Sequence, residues 1–449
     1  MNSPADRLPR RLAEVLPDHR GGQQRQKDHS RLQVQLARLA DKHRAHSYQS
    51  SLFTRIRDSR TPAGEPHDVE AIVRDGDFLV AMSGEVLVRS QQQGLAQAVL
   101  EPAGFGAGVP VPELQGRVVR FAKPGGSAAE ASALVATLQA AGVQATLNYV
   151  VPLGYVAKGE GGFENSTVDP SYVGPGTAAG PGAKVAVIDT GASGEARNDG
   201  WLQNLTLAAG GQDSLYQKGK KPLLDFAAGH GTFVTGLIQQ VAPTAQITTY
   251  GAVHSDGIGS ELDIAAALLA AARGGAQVIN LSLGTETVGD QPPVGIQVAL
   301  EIMAEEHDDV LLVAAAGNSG SIAPTWPAAF DQVVAVASLT SGLRGSAWSN
   351  RGDWVDCSAI GEGIVSTYVE GNEDNAVDKT GPDVFGPSSW ALGTGTSFAA
   401  PQVTGAIARL MDERGLSAKA ALDALMAGPD AVVVPDAGYG TGLHILPGT

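Results

Sequence analysis

The feature that most constrains the fold is a series of short, continuously apolar runs that alternate with helical segments. The runs are 185–188, 278–283, 310–316 and 333–337, and the helical segments are 231–240, 261–274 and 294–307. A strand that is apolar at every position leaves no face for water. Such strands separated by helices predict an α/β domain over 184–449, with a parallel sheet flanked by helices on both faces.

A smaller α/β domain is predicted in front of it, at residues 67–157. The pattern indicates a hairpin around Ser83-Gly84, then a helix at 93–100, a strand at 117–122, a helix at 127–141 and a strand at 143–151. Ser127, with an acidic residue three positions later, is typical of a helix start. This order predicts a small, ferredoxin-like sheet with helices. The segment 158–183 is rich in Gly and Pro and is predicted to be a linker.

Residues 1–66 are predicted to be a basic, partly helical arm. Residues 1–60 hold 13 Lys or Arg against 6 Asp or Glu, whereas the whole chain has a net charge of −16. Leu32, Leu36 and Leu39 share one helical face. Two interpretations stay open. The arm is either loosely packed or solvated, or it is a segment that docks a partner or the chain's own acidic body, to which its opposite charge attracts it.

Composition excludes several classes of function. The net charge of −16 argues against a general nucleic-acid binder, because counterion release requires a basic face. The single cysteine excludes an intrachain disulfide framework. No run reaches the ~18 apolar residues of a membrane span, and residues 1–30 lack the apolar run of a secretory signal. We therefore expect a cytoplasmic protein with no nucleic-acid or membrane partner.

Reactive side chains lie where predicted strands end and helices begin. Asp189 ends the first apolar run, and His230 begins a helix between two glycines. Ser397 opens another helix, beside free N–H groups and the positive end of the helix dipole. Asn318 follows a buried strand in a glycine-rich turn, where its amide is suited to an oxyanion. Each residue taken singly has an ordinary explanation as a cap or a turn residue.

Taken together, the order Asp189, His230, Ser397 resembles that of the subtilases, the subtilisin-like serine peptidases. The resemblance spans about residues 180–430 and includes the motifs at 229–236, 280–284, 324–328, 347–352 and 393–401. It implies that Ser397 is the nucleophile, that His230 is the general base and that Asp189 orients and balances the imidazole. The oxyanion hole would be the Asn318 amide and the Ser397 backbone N–H.

These residue types suit that chemistry. A serine hydroxyl is a weak nucleophile and needs an adjacent base. Imidazole, with an ordinary pKa of about 6.5, is such a base near neutral pH. The imidazolium that forms then needs a negative partner, which a buried aspartate supplies.

The resemblance also implies how a substrate binds. A protein or peptide substrate would lie as an extended strand between two edges of the cleft. The residues implied are Ser282, Leu283 and Gly284 on one edge, Gly257, Ile258 and Gly259 on the other, and Ala315, Ala316 and Gly317 in the pocket for the residue before the scissile bond. Small residues at these last positions predict a roomy, apolar pocket.

The sequence also departs from the family pattern. The calcium-binding loop that often interrupts the helix after His230 is missing, so no metal site and no required cofactor are expected, although a different, weak calcium site stays open. Phe233 and Phe398 stand where the family often has His and Met, which should alter selectivity more than chemistry. Residues 369–391 form an acidic insertion, either a solvated loop or a rim that favours basic substrates or docks the arm.

The sequence thus predicts an intracellular serine endopeptidase regulated by its N-terminal region. The domain at 67–157 is either a pro-segment, acting as an intramolecular inhibitor, or a retained accessory domain. Two other functions fit the same fold or chemistry, a catalytically silent binding module and an esterase. Both are disfavoured, because no triad position is lost and because residues 395–399 lack the Gly-x-Ser-x-Gly elbow.

Overall fold

The N-terminal arm is helical over most of its described residues. The computed structural model describes residues 11–16, 18–39, 50, 53–60, 68–74, 77–151, 163–177, 181–375 and 381–449. Helix α1 is Leu12–Val15, α2 is Gly22–Leu39 and α3 spans 53–60. The buried Arg20 guanidinium donates to Asp28 at 3.2 Å and to the Thr449 hydroxyl at 2.7 Å, so the arm is attached to the far end of the chain.

The small domain is an antiparallel sheet with two helices. Its strands are β1 Val69–Arg74, β2 Asp77–Arg89, β3 Val109–Pro110, β4 Val118–Ala122 and β5 Ala145–Tyr149, and its helices are α4 Gln93–Leu100 and α5 Ala128–Ala140. Strand β2 pairs with β1, β4 and β5. The Ser127 side chain accepts the Glu130 N–H at 3.1 Å, as the sequence predicts for the start of α5.

The hairpin predicted around Ser83-Gly84 is wrong, because β2 runs unbroken through these residues. Gly84 has a φ of +61°, and a side chain there would meet the Lys123 carbonyl oxygen at 2.6 Å. Along one edge of β2, the paired strand changes at Gly84 from β1 to β4. Along the other edge, the register with β5 shifts near the same point. The glycine therefore makes a bulge inside one long strand.

The body of the molecule, from residue 163 onward, contains the rest of the elements. In chain order the strands are β6 Glu164–Ser166, β7 Lys184–Asp189, β8 Thr206–Leu207, β9 Gln246–Gly251, β10 Val278–Leu281, β11 Leu311–Ala315, β12 Val333–Leu339, β13 Cys357–Ile360, β14 Ile364–Thr367, β15 Gly371–Asn372, β16 Val384–Phe385, β17 Trp390–Gly393, β18 Ala431–Val432 and β19 Thr441–Leu443. The helices are α6 His230–Val241, α7 Glu261–Arg273, α8 Val294–Glu306, α9 Thr396–Arg414 and α10 Ala418–Met426.

The large sheet has the order β18-β19-β13-β12-β11-β10-β7-β9-β8. Every neighbouring pair is parallel except β18 with β19. Along β7, Val185 and Val187 enter the core that contains α6 and α9, whereas Ala186 and Ile188 enter the core that contains α7 and α8. Both faces are covered, which confirms the predicted α/β class.

The segment predicted as a linker contains a strand. Strand β6 pairs antiparallel with β17, which leads directly into the Ser397 helix. Helix α2 lies on this strand, where Arg31 approaches the Glu164 carboxylate at 3.4 Å and also donates to the Asn165 carbonyl. Pairing with a neighbouring strand, which composition does not reveal, orders this stretch.

Ion pairs join the arm to the acidic insertion. Arg31 lies 3.5 Å from Asp383, and Arg55 lies 3.6 Å from Asp374. Between a solvated arm and a docked one, these contacts favour an arm that docks on the body. Two further charged positions of the insertion, Asp378 and Lys379, lie outside the described residues.

Candidate active site

Asp189 and His230 meet at the carboxyl edge of the sheet. Asp189 is the last residue of the central strand β7, and His230 is the first residue of α6. The imidazole Nδ1 lies 2.8 Å from Oδ1 and 2.9 Å from Oδ2 of the carboxylate. An ionised carboxylate only accepts hydrogen bonds, so the proton of the neutral ring is held on Nδ1 and Nε2 is left free to act as a base.

A second buried carboxylate, that of Asp213, ties the two motifs together. Its Oδ2 accepts the Thr190 hydroxyl at 2.8 Å and the Gly229 N–H at 2.9 Å, and these are the neighbours of Asp189 and His230 in the chain. Burial, together with the nearby Asp189 charge, raises the pKa of Asp213 to about 6. Sequence reasoning missed Asp213, because it lies in a loop without a motif.

Ser397 is the second residue of α9, beside this pair. Its hydroxyl donates to the Ser282 carbonyl at 3.2 Å, and the Ser282 hydroxyl donates to the Ser397 carbonyl at 2.9 Å. The ring of the next residue, Phe398, lies 5.6 Å from the His230 ring, centroid to centroid. The start of α9 therefore lies near the His230 ring through Phe398, while the Ser397 hydroxyl itself is hydrogen-bonded to the Ser282 carbonyl.

The Asn318 amide is held with its donor unused. Its Oδ1 accepts the Thr396 N–H at 2.9 Å and the Thr396 hydroxyl at 2.8 Å. Its Nδ2 is buried and, within the described residues, has no hydrogen-bond partner. Leaving such a buried donor unpaired costs about 1–3 kcal/mol. A donor kept unpaired at this cost is typical of a binding site in which the ligand supplies the acceptor.

The predicted substrate edge at 257–259 holds a strand of the chain itself. The Val151 N–H donates to the Gly259 carbonyl at 2.8 Å, and Val150 forms an antiparallel bridge with Ser260. Val151 shares a core with Leu283 of the other predicted edge. The end of the small domain thus pairs with the predicted edge at 257–259.

The other predicted binding residues surround this point. Gly257 has a φ of +87°, Gly317 has a φ of +102°, and a side chain at Gly284 would meet Thr325 at 2.7 Å, so each is suited to glycine. Ile258 packs with Val150. Ala315 and Ala316 lie at the end of β11 and are buried, and the pocket ascribed to them stays a prediction.

Glu261, at the start of α7, is a buried acid that sequence reasoning missed. Its Oε1 accepts the Gly295 N–H at 2.9 Å, and its Oε2 has no hydrogen-bond partner in the described structure. Burial raises the pKa of Glu261 to about 8, against the lowering effect of the Gly295 and Tyr149 backbone N–H groups. In sequence it looks like an ordinary first-turn acid beside the Ser260–Asp263 capping box.

The described ranges hold neither a metal cluster nor a membrane helix. Within them, no group of three or more His, Cys, Asp or Glu is arranged to hold a metal ion. None of the described helices is long and apolar enough to cross a membrane. The expectation on calcium stays a prediction.

Comparison with known proteins gives a consistent result. Residues 180–428 match the model of the Subtilase family. Thermitase of Thermoactinomyces vulgaris is 33% identical over 259 residues, which cover 54% of this chain and 78% of thermitase. Subtilisin BL of Lederbergia lenta is 31% identical over 238 residues, 51% of this chain and 76% of that protein. Among solved structures, fervidolysin from Fervidobacterium pennivorans shares the fold, with a TM-score of 0.56 at 20% identity over 84% of this chain and 61% of that one.

Proposed function

Because this chain belongs to the subtilase family of serine peptidases, we propose that Ser397, His230 and Asp189 hydrolyse peptide bonds as a catalytic triad. The observation that carries the proposal is the 2.8 Å contact between His230 Nδ1 and Asp189, beside the Ser397 helix start and the unpaired Asn318 amide. The family supplies the activity, and this geometry supports the assignment of roles.

The reaction follows from these positions. His230 Nε2 takes the proton as Ser397 Oγ attacks the substrate carbonyl carbon. The oxyanion accepts hydrogen bonds from Asn318 Nδ2 and from the Ser397 N–H, and one such donor contributes about 3–4 kcal/mol to transition-state stabilisation. His230 then gives the proton to the leaving amine, the C–N bond breaks, and water hydrolyses the acyl-enzyme by the same steps.

The small domain is proposed to inhibit this site within the same chain. Val150 and Val151 occupy the edge where a substrate strand would add, through the Val151–Gly259 hydrogen bond of 2.8 Å. This contact favours the pro-segment over the accessory domain. The next described residue is Phe163, beside the His230 ring, so we propose that self-cleavage falls between Val151 and Phe163.

A fluorophosphonate probe tests the activity directly. We expect covalent labelling of Ser397, identified by peptide mapping, together with hydrolysis of an unstructured protein such as casein. A chain that is neither labelled nor hydrolytic would support the silent binding module instead. Preference for an ester over the matching peptide would support an esterase. The cytoplasmic location is a separate proposal, which cell fractionation tests.

Docking of the small domain should weaken as pH rises. Glu261 has a pKa of about 8 in the docked state, against about 4.5 for an exposed glutamate. If undocking exposes the Glu261 carboxyl to water, the docked state retains a proton that the undocked state loses. Docking is then favoured at low pH and is weakened between about pH 4.5 and 8.

Hydrogen exchange of the Val150 and Val151 amides measures this effect, in a Ser397→Ala chain that cannot cut itself. After correction for intrinsic rates, protection should fall about tenfold or more from pH 6 to pH 8. Glu261→Gln, which has no proton to lose, is the matched control and should flatten the profile. Equal slopes for the two proteins would exclude Glu261 as the cause.

A further inference from the structure

Phe163 lies in a pocket made of other aromatic rings. Its ring centroid is 4.6 Å from Tyr368, 5.0 Å from Phe233 and 5.6 Å from Phe398. The wall residues are 0–5% exposed, whereas Phe163 itself is only partly buried. Phe233, Tyr368 and Phe398 therefore belong to the core of the body. Phe163, which directly precedes β6, inserts its ring among them.

The pocket adjoins the reacting groups. Phe398 directly follows Ser397 in the chain, and the Phe163 ring lies 6.2 Å from the His230 ring. A side chain at Gly393 would meet Phe398 at 2.7 Å and Phe233 at 3.2 Å. Glycine at this position leaves the room in which the rings converge.

Chain direction identifies which side of the scissile bond the pocket serves. The chain passes Gly259 at Val151 and later reaches His230 at Phe163, after which β6 pairs with β17. A substrate that crosses the cleft in the same direction has its acyl side at Gly259 and its leaving side at His230. The proposed proton transfer from His230 to the leaving amine requires the same orientation.

We propose that Phe233, Tyr368 and Phe398 form a specificity pocket for an aromatic side chain on the leaving side, within the first two residues after the scissile bond. Phe163 fills this pocket in the uncut chain. Because β6 stays paired with β17 on the body side of the proposed cut, Phe163 also competes with substrate afterwards. The inference rests on the proposed function and adds a substrate class to it.

The chemistry of the walls selects aromatic side chains. The Tyr368 hydroxyl donates to the Ala228 carbonyl at 2.9 Å, so its polar group is satisfied outside the pocket. The remaining surface is aromatic carbon, on which a ring gains apolar burial and about 0.5–1.5 kcal/mol for each favourable ring pair. A charged side chain would lose hydration there without gaining a partner.

Internally quenched peptides that differ only on the leaving side test the pocket. Wild type and Phe163→Ala are compared on peptides with Phe or Ala at the first or second position after the cleaved bond, with cleavage sites verified by mass spectrometry. We expect kcat/KM to favour Phe over Ala by about tenfold in Phe163→Ala, and by less in wild type, where Phe163 competes. Phe233→Leu, which keeps an apolar side chain but removes one ring, should reduce the preference several-fold.

The alanine peptide separates the two levels of the proposal. If the Phe163→Ala protein cleaves the alanine peptide and shows no preference for the phenylalanine peptide, the pocket is overturned and the peptidase assignment stays intact. A protein that cleaves neither peptide overturns both. Val384→Ala, on an exposed part of the insertion, is the matched control, and the pocket is contradicted if it changes the Phe-to-Ala ratio as much as Phe233→Leu does.

Discussion

Ser397→Ala is expected to remove peptide hydrolysis almost completely, by about 10⁶-fold in kcat, the scale seen when the nucleophile of a subtilisin is replaced. The variant lacks the oxygen nucleophile that, in the proposed mechanism, His230 activates. The hydroxyl makes a hydrogen bond to the Ser282 carbonyl at 3.2 Å, worth about 1 kcal/mol, so the variant should fold with only a small loss of stability.

The same variant also tests self-cleavage. Mass spectrometry of wild type should find a break between Val151 and Phe163, and Ser397→Ala should stay intact. Ser341→Ala, at an exposed serine, is the control and should behave as wild type. Undiminished casein hydrolysis by Ser397→Ala, with folding verified by circular dichroism, would end the nucleophile assignment. A break in both proteins would point to another protease.

Asn318→Ala is expected to lower kcat by about 10²–10³-fold with little change in KM. The Nδ2 donor has no partner among the described residues, and in the proposed mechanism it bonds the oxyanion rather than the resting substrate. An interaction made only in the transition state changes kcat and leaves KM almost unaltered.

A control is needed because Asn318 also anchors the Thr396 N–H and hydroxyl. Asn318→Asp keeps an oxygen for Thr396 and removes only the amide donor. It should be at least as inactive as Asn318→Ala, since its negative charge would also repel the oxyanion. Substantial activity in Asn318→Asp would show that the residue acts through Thr396 and not as an oxyanion donor.

The fold of the body could be predicted because its strands are buried on both faces. Val185 to Ile188 are apolar without interruption, since alternate residues enter different cores. The polar residues at the ends of such strands could be predicted for a related reason, because the carboxyl ends of parallel strands share one edge. The common edge of Asp189 and Asn318, which end or follow β7 and β11, follows from that topology. His230 and Ser397 begin helices after segments outside this rule, so their placement depends on tertiary packing.

Features that depend on contacts between segments distant in sequence could not be predicted in this way. Glu261 looks in sequence like an ordinary first-turn acid, and only its complete burial in the folded chain raises its pKa. Phe163 lies in a stretch with the composition of a linker, and only its ring contacts reveal a pocket. Gly84 looks like a turn residue, yet a bulge in a long strand needs the same positive φ. Local pattern determines local geometry, whereas these roles depend on partners distant in sequence.

The attachment of α2 to the body bears on the outcome of a cut after Val151, because the N-terminal fragment would remain attached through both the small domain and the arm. The small domain is held by Gly259 at the cleft edge and by the Arg89–Glu301 ion pair. The arm is held through Arg31 and through the Thr394 hydroxyl, which donates to Gln35 at 3.1 Å. When either the small domain or the arm dissociates from the body, the other keeps it at an effective concentration of order millimolar. Rebinding is then faster than complete dissociation of the fragment. Cleavage of the backbone and release of the enzyme are then two separate steps. Salt weakens the ion pairs of the arm and would shorten the delay between these steps.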